Sequence, residues 1–255
     1  TSVNFYQLAV AAIRARPGRS TVIIDSANFP TDRYIIQGIC DQMGLTLITL
    51  DNDGTGGPGA VPVDVEHERL TAAALEPHLT DDVALVTLQA LNYRSGARSE
   101  LAAISAAVKA AGALMLWDCS HAGGAIALDF DDNGTDLAVG CTYKYGNSGP
   151  GSPAWLFVRQ ELQQELDVPI QGWFAQRDQF AMGPWFEKAA DMRAFQIASP
   201  SIIGPWAAIA AIPASSAARL ITCPPENELP HRATRSPSTP ASERAKAMAA
   251  RQSAS

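Results

Sequence analysis

The stretch "SELAAISAAVKAAGALMLWD", residues 99–118, predicts a helix that leads directly into a buried strand. Ser99 is a residue type that caps helix N-termini, the alanine-rich run after it favours a helix, and Gly112 is typical of a helix end. The apolar run that follows ends at a single carboxylate, Asp118. Helices that alternate with short buried strands indicate βαβ units, whose strands pair in parallel.

The same alternation extends toward both ends of the chain. Further strands are predicted at residues 20–25, 45–50, 83–88, 136–142 and 154–158, and a further helix at residues 32–43. The sequence therefore predicts an α/β fold with a mixed, mostly parallel sheet flanked by helices. Ligands of such sheets bind beyond the carboxyl ends of the strands, so the residues that follow each strand are the first candidates for chemistry.

The composition is that of a water-soluble globular protein. Of the 255 residues, 47% are hydrophobic and 18% are charged, which is enough apolar sequence to bury a large core. A net charge of -7, with both signs interspersed, argues against binding to nucleic acid or to an anionic membrane. The four cysteines lack paired spacing, so we expect reduced thiols and no metal site. Since no signal-peptide pattern is present, we expect a cytoplasmic location.

Residue usage changes toward the C-terminus. From Pro213 onward there is no Phe, Trp or Tyr, and six of the 17 prolines fall in this part. Such a segment cannot bury enough apolar surface to order itself. We therefore expect a large domain at residues 1–205, the start of a C-terminal region at residues 206–222 and a disordered tail at residues 223–255. The Gly- and Pro-rich residues 51–64 are expected to form a loop without a phosphate site.

Asp118 and His121 stand at the end of a predicted strand and just beyond it. A carboxylate in this position lies in the ligand crevice and, when buried, needs a cation or a hydrogen-bond donor against it. It could equally be the N-cap of a following helix. A lone histidine such as His121 is more often packed or at the surface than catalytic.

Lys144 follows the strand predicted at residues 136–142, whose end should lie near that of the strand ending at Asp118. The nearby Gly146, Gly149 and Gly151 allow close backbone approach. A desolvated lysine can act as a nucleophile toward an aldehyde, as pyridoxal phosphate requires, and Asp118 would supply the carboxylate that this cofactor needs at its ring nitrogen. The alternative is a surface lysine that extends its charge into water.

Thr1 and Ser2 precede a helix-like run that begins at Phe5. Helix N-termini bind phosphate through their free N–H groups and the helix dipole, and neighbouring hydroxyls can add hydrogen bonds. Taken alone, the same two residues could be no more than an N-cap.

Five stretches of the chain together resemble the kynureninases, which are pyridoxal-phosphate enzymes of fold type I. They are "TSVN" (1–4), "NFPTD" (28–32), "WDCSHAGGAIALD" (117–129), "GCTYKYGNSGPGSPA" (140–154) and "GWF" (172–174). The Tyr-Lys-Tyr block and the Gly-Trp-Phe are fairly specific to this family. The resemblance covers residues 1 to about 205 and implies the large domain of the fold.

The resemblance implies roles at individual positions. Lys144 corresponds to the lysine that binds the cofactor covalently, Asp118 to the partner of the pyridinium nitrogen, and Phe29 to the aromatic residue that stacks on the ring. Tyr143 corresponds to a phosphate ligand, and we hypothesise that it also donates or accepts a proton in catalysis. The other implied cofactor-binding residues are Thr1, Ser2, Pro30, Thr31, Asp32, Gln89 and His121. Gln89 stands where the family has a small hydroxyl residue.

The resemblance also implies a homodimer with a shared active site, in which Trp173 and Ser199 reach the phosphate from the other subunit. The implied reaction is hydrolysis of the Cβ–Cγ bond of L-kynurenine or 3-hydroxykynurenine, which gives anthranilate or 3-hydroxyanthranilate and L-alanine. This reaction belongs to tryptophan catabolism and to the kynurenine pathway of NAD biosynthesis. Two alternatives stay open: another fold-type-I enzyme, such as a cysteine desulfurase or a class V aminotransferase, or an inactive fragment that serves only in binding or dimerisation.

Relative to this family, we expect the chain to be a fragment, truncated at both ends. Its first residue, Thr1, falls within the implied phosphate-binding motif. The small C-terminal domain, which carries the arginine that binds the substrate carboxylate in the family, is expected to be missing or aberrant. A frame shift in the gene is one hypothesis for the tail without aromatic residues.

Overall fold

Six strands form one sheet, in the order β2-β1-β3-β4-β5-β6, in the computed structural model of the chain, which describes residues 1–52, 65–199 and 201–211. The strands are β1 (Thr21–Asp25), β2 (Thr46–Leu50), β3 (Val83–Gln89), β4 (Leu114–Asp118), β5 (Leu137–Cys141) and β6 (Ala154–Val158). All neighbouring pairs from β2 to β5 are parallel, and β6 pairs with β5 antiparallel. The predicted mixed, mostly parallel sheet is therefore confirmed.

The described residues also contain six α-helices, of which two are single turns. They are α1 (Ser2–Arg14), α2 (Pro30–Met43), α3 (Val65–Glu68), α4 (Ala72–Leu75), α5 (Leu101–Ala110) and α6 (Ile203–Ala211). The helix predicted at residues 32–43 is α2, which begins with a proline in its first turn and ends at Gly44 in the left-handed conformation, φ 68°. Between β6 and α6 the chain forms short 3-10 turns at residues 160–162, 173–175, 179–181 and 192–195.

Both faces of the sheet are covered, because successive side chains of a strand point to opposite sides. Ile24 and Leu116 pack in one hydrophobic cluster with α1 and α2, whereas the adjacent Ile23 and Trp117 pack in another with α5. Every residue of β1, β3, β4 and β5 is buried, as expected for strands with helices on both faces.

Two predicted helix starts are wrong. Helix α5 begins at Leu101, and Ser99 does not cap it, because the Ser99 hydroxyl donates instead to the Gln89 carbonyl at 2.7 Å. Gly112 does lie just past the end of this helix, at φ 74°. Helix α1 begins at Ser2 rather than near Phe5, and Thr1 is its N-cap residue without a side-chain capping hydrogen bond. Ser2 therefore belongs to the helix itself.

The carboxyl ends of the central strands meet at one edge of the sheet. Asp25, Gln89 and Asp118 are the last residues of β1, β3 and β4. Gln89 and Asp118 are direct neighbours in the β3–β4 register. Because β5 ends at Cys141, the segment that contains Lys144 begins at this same edge.

Predictions about the cysteines, the Gly- and Pro-rich loop and the C-terminal tail can be compared with the structure only where it describes these residues. Cys40, Cys119 and Cys141 are buried free thiols, as expected, whereas Cys223 lies outside the described residues. The same holds for residues 53–64 of the predicted loop and for the tail predicted at 223–255, so the domain division stays a prediction. Among the described helices, none has the length and apolar character needed to cross a membrane.

Candidate active site

Asp118 is buried at the end of β4 and is held by the backbone that follows it. The Ser120 N–H donates to Asp118 Oδ1 at 2.9 Å. Residues 120–125 are largely turns, so the alternative that Asp118 caps a helix does not apply. The carboxylate satisfies one backbone donor and is left with its second oxygen for another partner.

A second buried carboxyl group, Asp32 in the first turn of α2, lies against Asp118. Burial raises the pKa of Asp32 well above its ordinary value, and the negative charge of Asp118 and a hydrogen bond with it act in the same direction. Two carboxylates this close cannot both ionise easily. The raised pKa therefore favours the protonated form of Asp32 beside Asp118.

Lys144 lies over aromatic rings rather than in water. Its Nζ atom is 5.3 Å from the centroid of the Phe29 ring and 5.6 Å from that of Tyr143. In the described part of the chain, Lys144 forms no ion pair with a carboxylate. Lys144 is half-buried between the exposed Tyr143 and Tyr145, so its assignment as the reactive lysine stays a prediction.

Phe29, Tyr93 and His121 form an aromatic cluster beside this amine. The Phe29 and Tyr93 rings are perpendicular, with centroids 5.3 Å apart, and His121 lies 6.4 Å from Phe29 and 6.0 Å from Tyr93. The sequence analysis missed Tyr93, whose position four residues beyond the end of β3 was the only available signal.

His121 is neutral in this environment. Burial lowers its pKa, and the positive charge of Lys144 lowers it further, against an opposing effect of Asp118. Its Nδ1 atom is buried and has no hydrogen-bond partner among the described residues. A buried imidazole nitrogen without a partner could form a hydrogen bond with a polar group bound beside it.

The segment that carries Lys144 is packed closely by two glycines. A Cβ atom on Gly146 would lie 2.5 Å from the Thr142 carbonyl oxygen, and one on Gly124 would lie 2.7 Å from the Tyr145 carbonyl oxygen. Gly149 and Gly151 have open space instead, so close approach is the wrong reason for these two. Their backbones are left-handed, with φ 79° and 84°, a conformation that favours glycine.

The start of α1 reaches the same edge. The Thr1 hydroxyl lies 3.4 Å from the Gly140 carbonyl oxygen, to which it donates, near the end of β5. Ser2 is exposed at the first turn, and Tyr143 is 46% exposed. Pro30 and Thr31 are half-buried in the first turn of α2.

Trp173 and Ser199 are not brought to this cluster by any contact within the described residues. Trp173 is 43% exposed, and its ring contacts are with Phe174 and Phe180, at 4.6 and 6.3 Å. Ser199 is exposed.

Gln89 is buried and uses its amide inside the protein. Its Nε2 donates to the Ala27 carbonyl at 3.0 Å, and its Oε1 accepts from the Tyr93 N–H at 3.3 Å. The implied contact of Gln89 with a cofactor stays a prediction.

The donor set fits a pyridoxal group. Among the residues that the structure describes, one cluster offers a primary amine without an ion-pair partner, the buried carboxyl group of Asp118, an aromatic face and an unpaired imidazole nitrogen. In the described residues, no group of three His, Cys, Asp or Glu side chains could hold a metal ion.

Comparison with known proteins supports this interpretation. Residues 17–192 match the family described as aminotransferase class-V. A kynureninase from Deinococcus radiodurans is 35% identical over 203 residues, which cover 80% of this chain and 45% of that protein. A kynureninase from Pseudomonas fluorescens is 36% identical over 193 residues, covering 73% and 42%. The chain thus spans less than half the length of these curated relatives.

Solved structures share the fold. A cysteine desulfurase from Thermococcus onnurineus NA1 superposes with a TM-score of 0.63 at 18% identity, covering 83% of this chain and 49% of that one. A mutant of C-DES with glycine covalently linked to its PLP cofactor gives a TM-score of 0.63 at 18% identity, covering 86% and 53%. At this identity the likeness confirms the sheet architecture alone.

Proposed function

Because the chain belongs to the class-V aminotransferase family, we propose that it binds pyridoxal 5'-phosphate (PLP) at the cluster around Lys144 and hydrolyses L-kynurenine or 3-hydroxykynurenine. The observation that carries the proposal is the similarity to kynureninases, at 35% identity over four fifths of the chain. The convergence of Lys144, Asp118 and Phe29 at one edge of the sheet supports it.

Each side chain of the cluster has a task in this proposal. When bound, PLP supplies a protonated pyridine ring that accepts electrons from the bonds around the substrate Cα. Asp118 would hold the proton on the ring nitrogen, oriented by the Ser120 N–H, and Asp32, whose raised pKa favours its protonated form, lies beside it. Lys144 would hold the cofactor through its aldehyde group, and its amine would take the proton from the substrate Cα.

The remaining implied residues bind and orient. Phe29 packs on one ring face, and Thr1, Ser2 and the N-terminus of α1 hold the phosphate through hydroxyl and N–H donors. Tyr143, whose ring lies beside Lys144, moves a proton at the substrate γ-carbonyl. Trp173, with its exposed indole, and Ser199 reach the phosphate of a second subunit in a homodimer.

A second candidate function is that of a cysteine desulfurase, which the structural neighbours favour. Such an enzyme would use the same lysine and aspartate and would release sulfur from cysteine instead of anthranilate from kynurenine. A third candidate is a fragment without catalytic activity.

The test combines one variant, one control and two substrates. The full chain is mixed with PLP, and visible absorbance is compared with that of Lys144→Ala and of Lys109→Ala, an exposed lysine on α5. We expect an absorbance band that Lys144→Ala loses and Lys109→Ala keeps, and anthranilate fluorescence on addition of L-kynurenine. Sulfide release from cysteine in the presence of an added thiol reductant, without anthranilate from kynurenine, would replace the proposal by the second candidate. No lysine-dependent band would leave only the third.

A further inference from the structure

The loop between β1 and α2, which carries Phe29, is held at Ala27 by two buried amide side chains. The Ala27 N–H donates to Asn52 Oδ1 at 3.0 Å, and the Ala27 carbonyl accepts from Gln89 Nε2 at 3.0 Å. Ala27, Asn52 and Gln89 are all almost completely buried. Both backbone polar groups of this residue are thus fixed from opposite sides, two positions before Phe29.

The two amides share an anchor, Asp25, which is completely buried. Asn52 Nδ2 donates to Asp25 Oδ2 at 3.3 Å, Asn28 Nδ2 donates to Oδ1 at 2.8 Å, and the Gln89 amide lies near enough to help to lower the pKa of this carboxyl group. A carboxylate surrounded by amide donors is satisfied without a counter-charge. The network is therefore rigid, since each member is oriented by another.

Gln89 also binds the backbone of Tyr93, whose ring is the neighbour of Phe29 in the aromatic cluster. Its Oε1 accepts from the Tyr93 N–H at 3.3 Å, and the Tyr93 ring stands perpendicular to Phe29 at 5.3 Å. One side chain thus connects the backbones that carry both rings. An amide is required for this, because it donates at one atom and accepts at the other, and a carboxylate or an apolar side chain of the same length cannot do both.

A second series of contacts, through Glu68 and Arg94, connects Tyr93 to Asn52 of the same network. Asn52 Nδ2 lies 3.4 Å from the Glu68 carbonyl oxygen, and the buried Glu68 carboxylate pairs with Arg94 at 2.7 Å. The Arg94 guanidinium lies over the Tyr93 ring, 5.8 Å from its centroid. The loop that carries Tyr93 is therefore held by Gln89 and also, through Arg94, by Glu68.

We propose that Gln89 is a positioning residue that sets the place of Phe29, and through it the ring face beside Lys144, by clamping Ala27 and Tyr93 together. The Lys144 amine lies 5.3 Å from the Phe29 centroid, so a shift of this loop changes the space between ring and amine. This inference rests on the proposed function only where it concerns PLP. The clamp itself is a property of the chain without cofactor.

The test uses Gln89→Met, which keeps the length of the side chain and removes both hydrogen bonds. The control is Gln37→Met, at an exposed glutamine of α2 whose side chain, within the described residues, hydrogen-bonds to Asp41 alone. Amide hydrogen exchange is measured on the cofactor-free chain, and PLP affinity by absorbance titration. Since one hydrogen bond is worth about 1 kcal/mol, we expect Gln89→Met to speed exchange at the Tyr93 N–H, which loses its acceptor, about fivefold and to weaken PLP binding about fivefold. Exchange at Ala27 should also become faster, because its carbonyl loses a donor and its loop is held less tightly. Gln37→Met should change neither.

Gln89→Asn gives a second measurement that does not depend on how well the methionine variant folds. It keeps the amide but is one methylene too short to reach both backbones, so we expect faster exchange at Ala27 or Tyr93. Wild-type exchange at both residues in either variant that folds would overturn the inference. Faster exchange with unchanged PLP affinity would overturn its positioning part. A wild-type chain that binds no PLP while exchange still responds would overturn the proposed function and leave the clamp supported.

Discussion

The ends of β1 and β4 carry the same residue type at the same edge of the sheet, yet their surroundings differ. Asp25 is enclosed by neutral amides, those of Asn28, Asn52 and Gln89. Asp118 lies against another carboxyl group, Asp32, and within the electrostatic reach of Lys144 and His121. Both carboxylates are buried, and both end an apolar strand.

The difference separates a structural carboxylate from a chemical one. Amide donors orient the buried Asp25 carboxyl group and are oriented by it, so the Asp25 end of the edge is suited to holding a loop in place. Titratable neighbours allow protons to move, so the Asp118 end is suited to holding a proton on a bound ring. The chemistry follows from the neighbours rather than from the residue type.

The largest expected difference between the Asp118 end and the Asp25 end is in their contribution to cofactor affinity. We expect Asp118→Asn to weaken PLP affinity about 100-fold or more, because removing one member of a buried ion pair costs about 3–5 kcal/mol. Asp25→Asn, the matched change at the other end, should weaken it far less, since it disturbs only the loop that carries Phe29. Absorbance titration of both variants with PLP measures the difference. Equal losses would show that the two ends do not differ in role.

Titration of the buried Asp25 should make the free energy of unfolding depend on pH. Burial raises the pKa of Asp25 from its ordinary 3.8 to about 6, against the lowering effect of its amide partners. The folded chain thus binds this proton more tightly than the unfolded chain. The contribution of Asp25 to stability is complete below pH 3.8 and falls as pH rises to about 6, by about 3 kcal/mol in all.

Urea unfolding of the wild type and of Asp25→Asn between pH 4 and 7 checks this expectation. The free energy of unfolding of the wild type should fall relative to the variant as pH rises to about 6. The Asp25 charge also contributes to the raised pKa of Asp32, so Asp25→Asn lowers that pKa and adds a smaller difference of the same sign at higher pH. Parallel curves over the whole range would mean that Asp25 does not titrate as a buried, amide-bound carboxyl group.

The sequence predicted the strands well because apolar runs bounded by helices leave few alternatives in a parallel sheet. It also predicted that Asp118 and Lys144 follow neighbouring strands, since that depends only on strand order. It could not distinguish Asp25 from Asp118, because both appear as an apolar run ending in aspartate and differ only in what folds around them. Tyr93 was missed for a related reason: its contact with Phe29 depends on the loop conformation that Gln89 imposes.

The smallest effect concerns the close packing at the Asp118 end, where Gly124 meets the segment of Lys144. Gly124→Ala would place a Cβ atom 2.7 Å from the Tyr145 carbonyl oxygen, in a left-handed backbone at φ 91°. The control, Gly18→Ala, has a similar φ of 84° and nothing within 4 Å, so it measures backbone strain alone, about 1–2 kcal/mol. We expect Gly124→Ala to cost about 1 kcal/mol more than the control in urea unfolding and to weaken PLP binding, because the Lys144 segment must move to admit the methyl group. Equal costs in the two variants would mean that this segment yields freely and that packing at the Asp118 end does not hold the lysine.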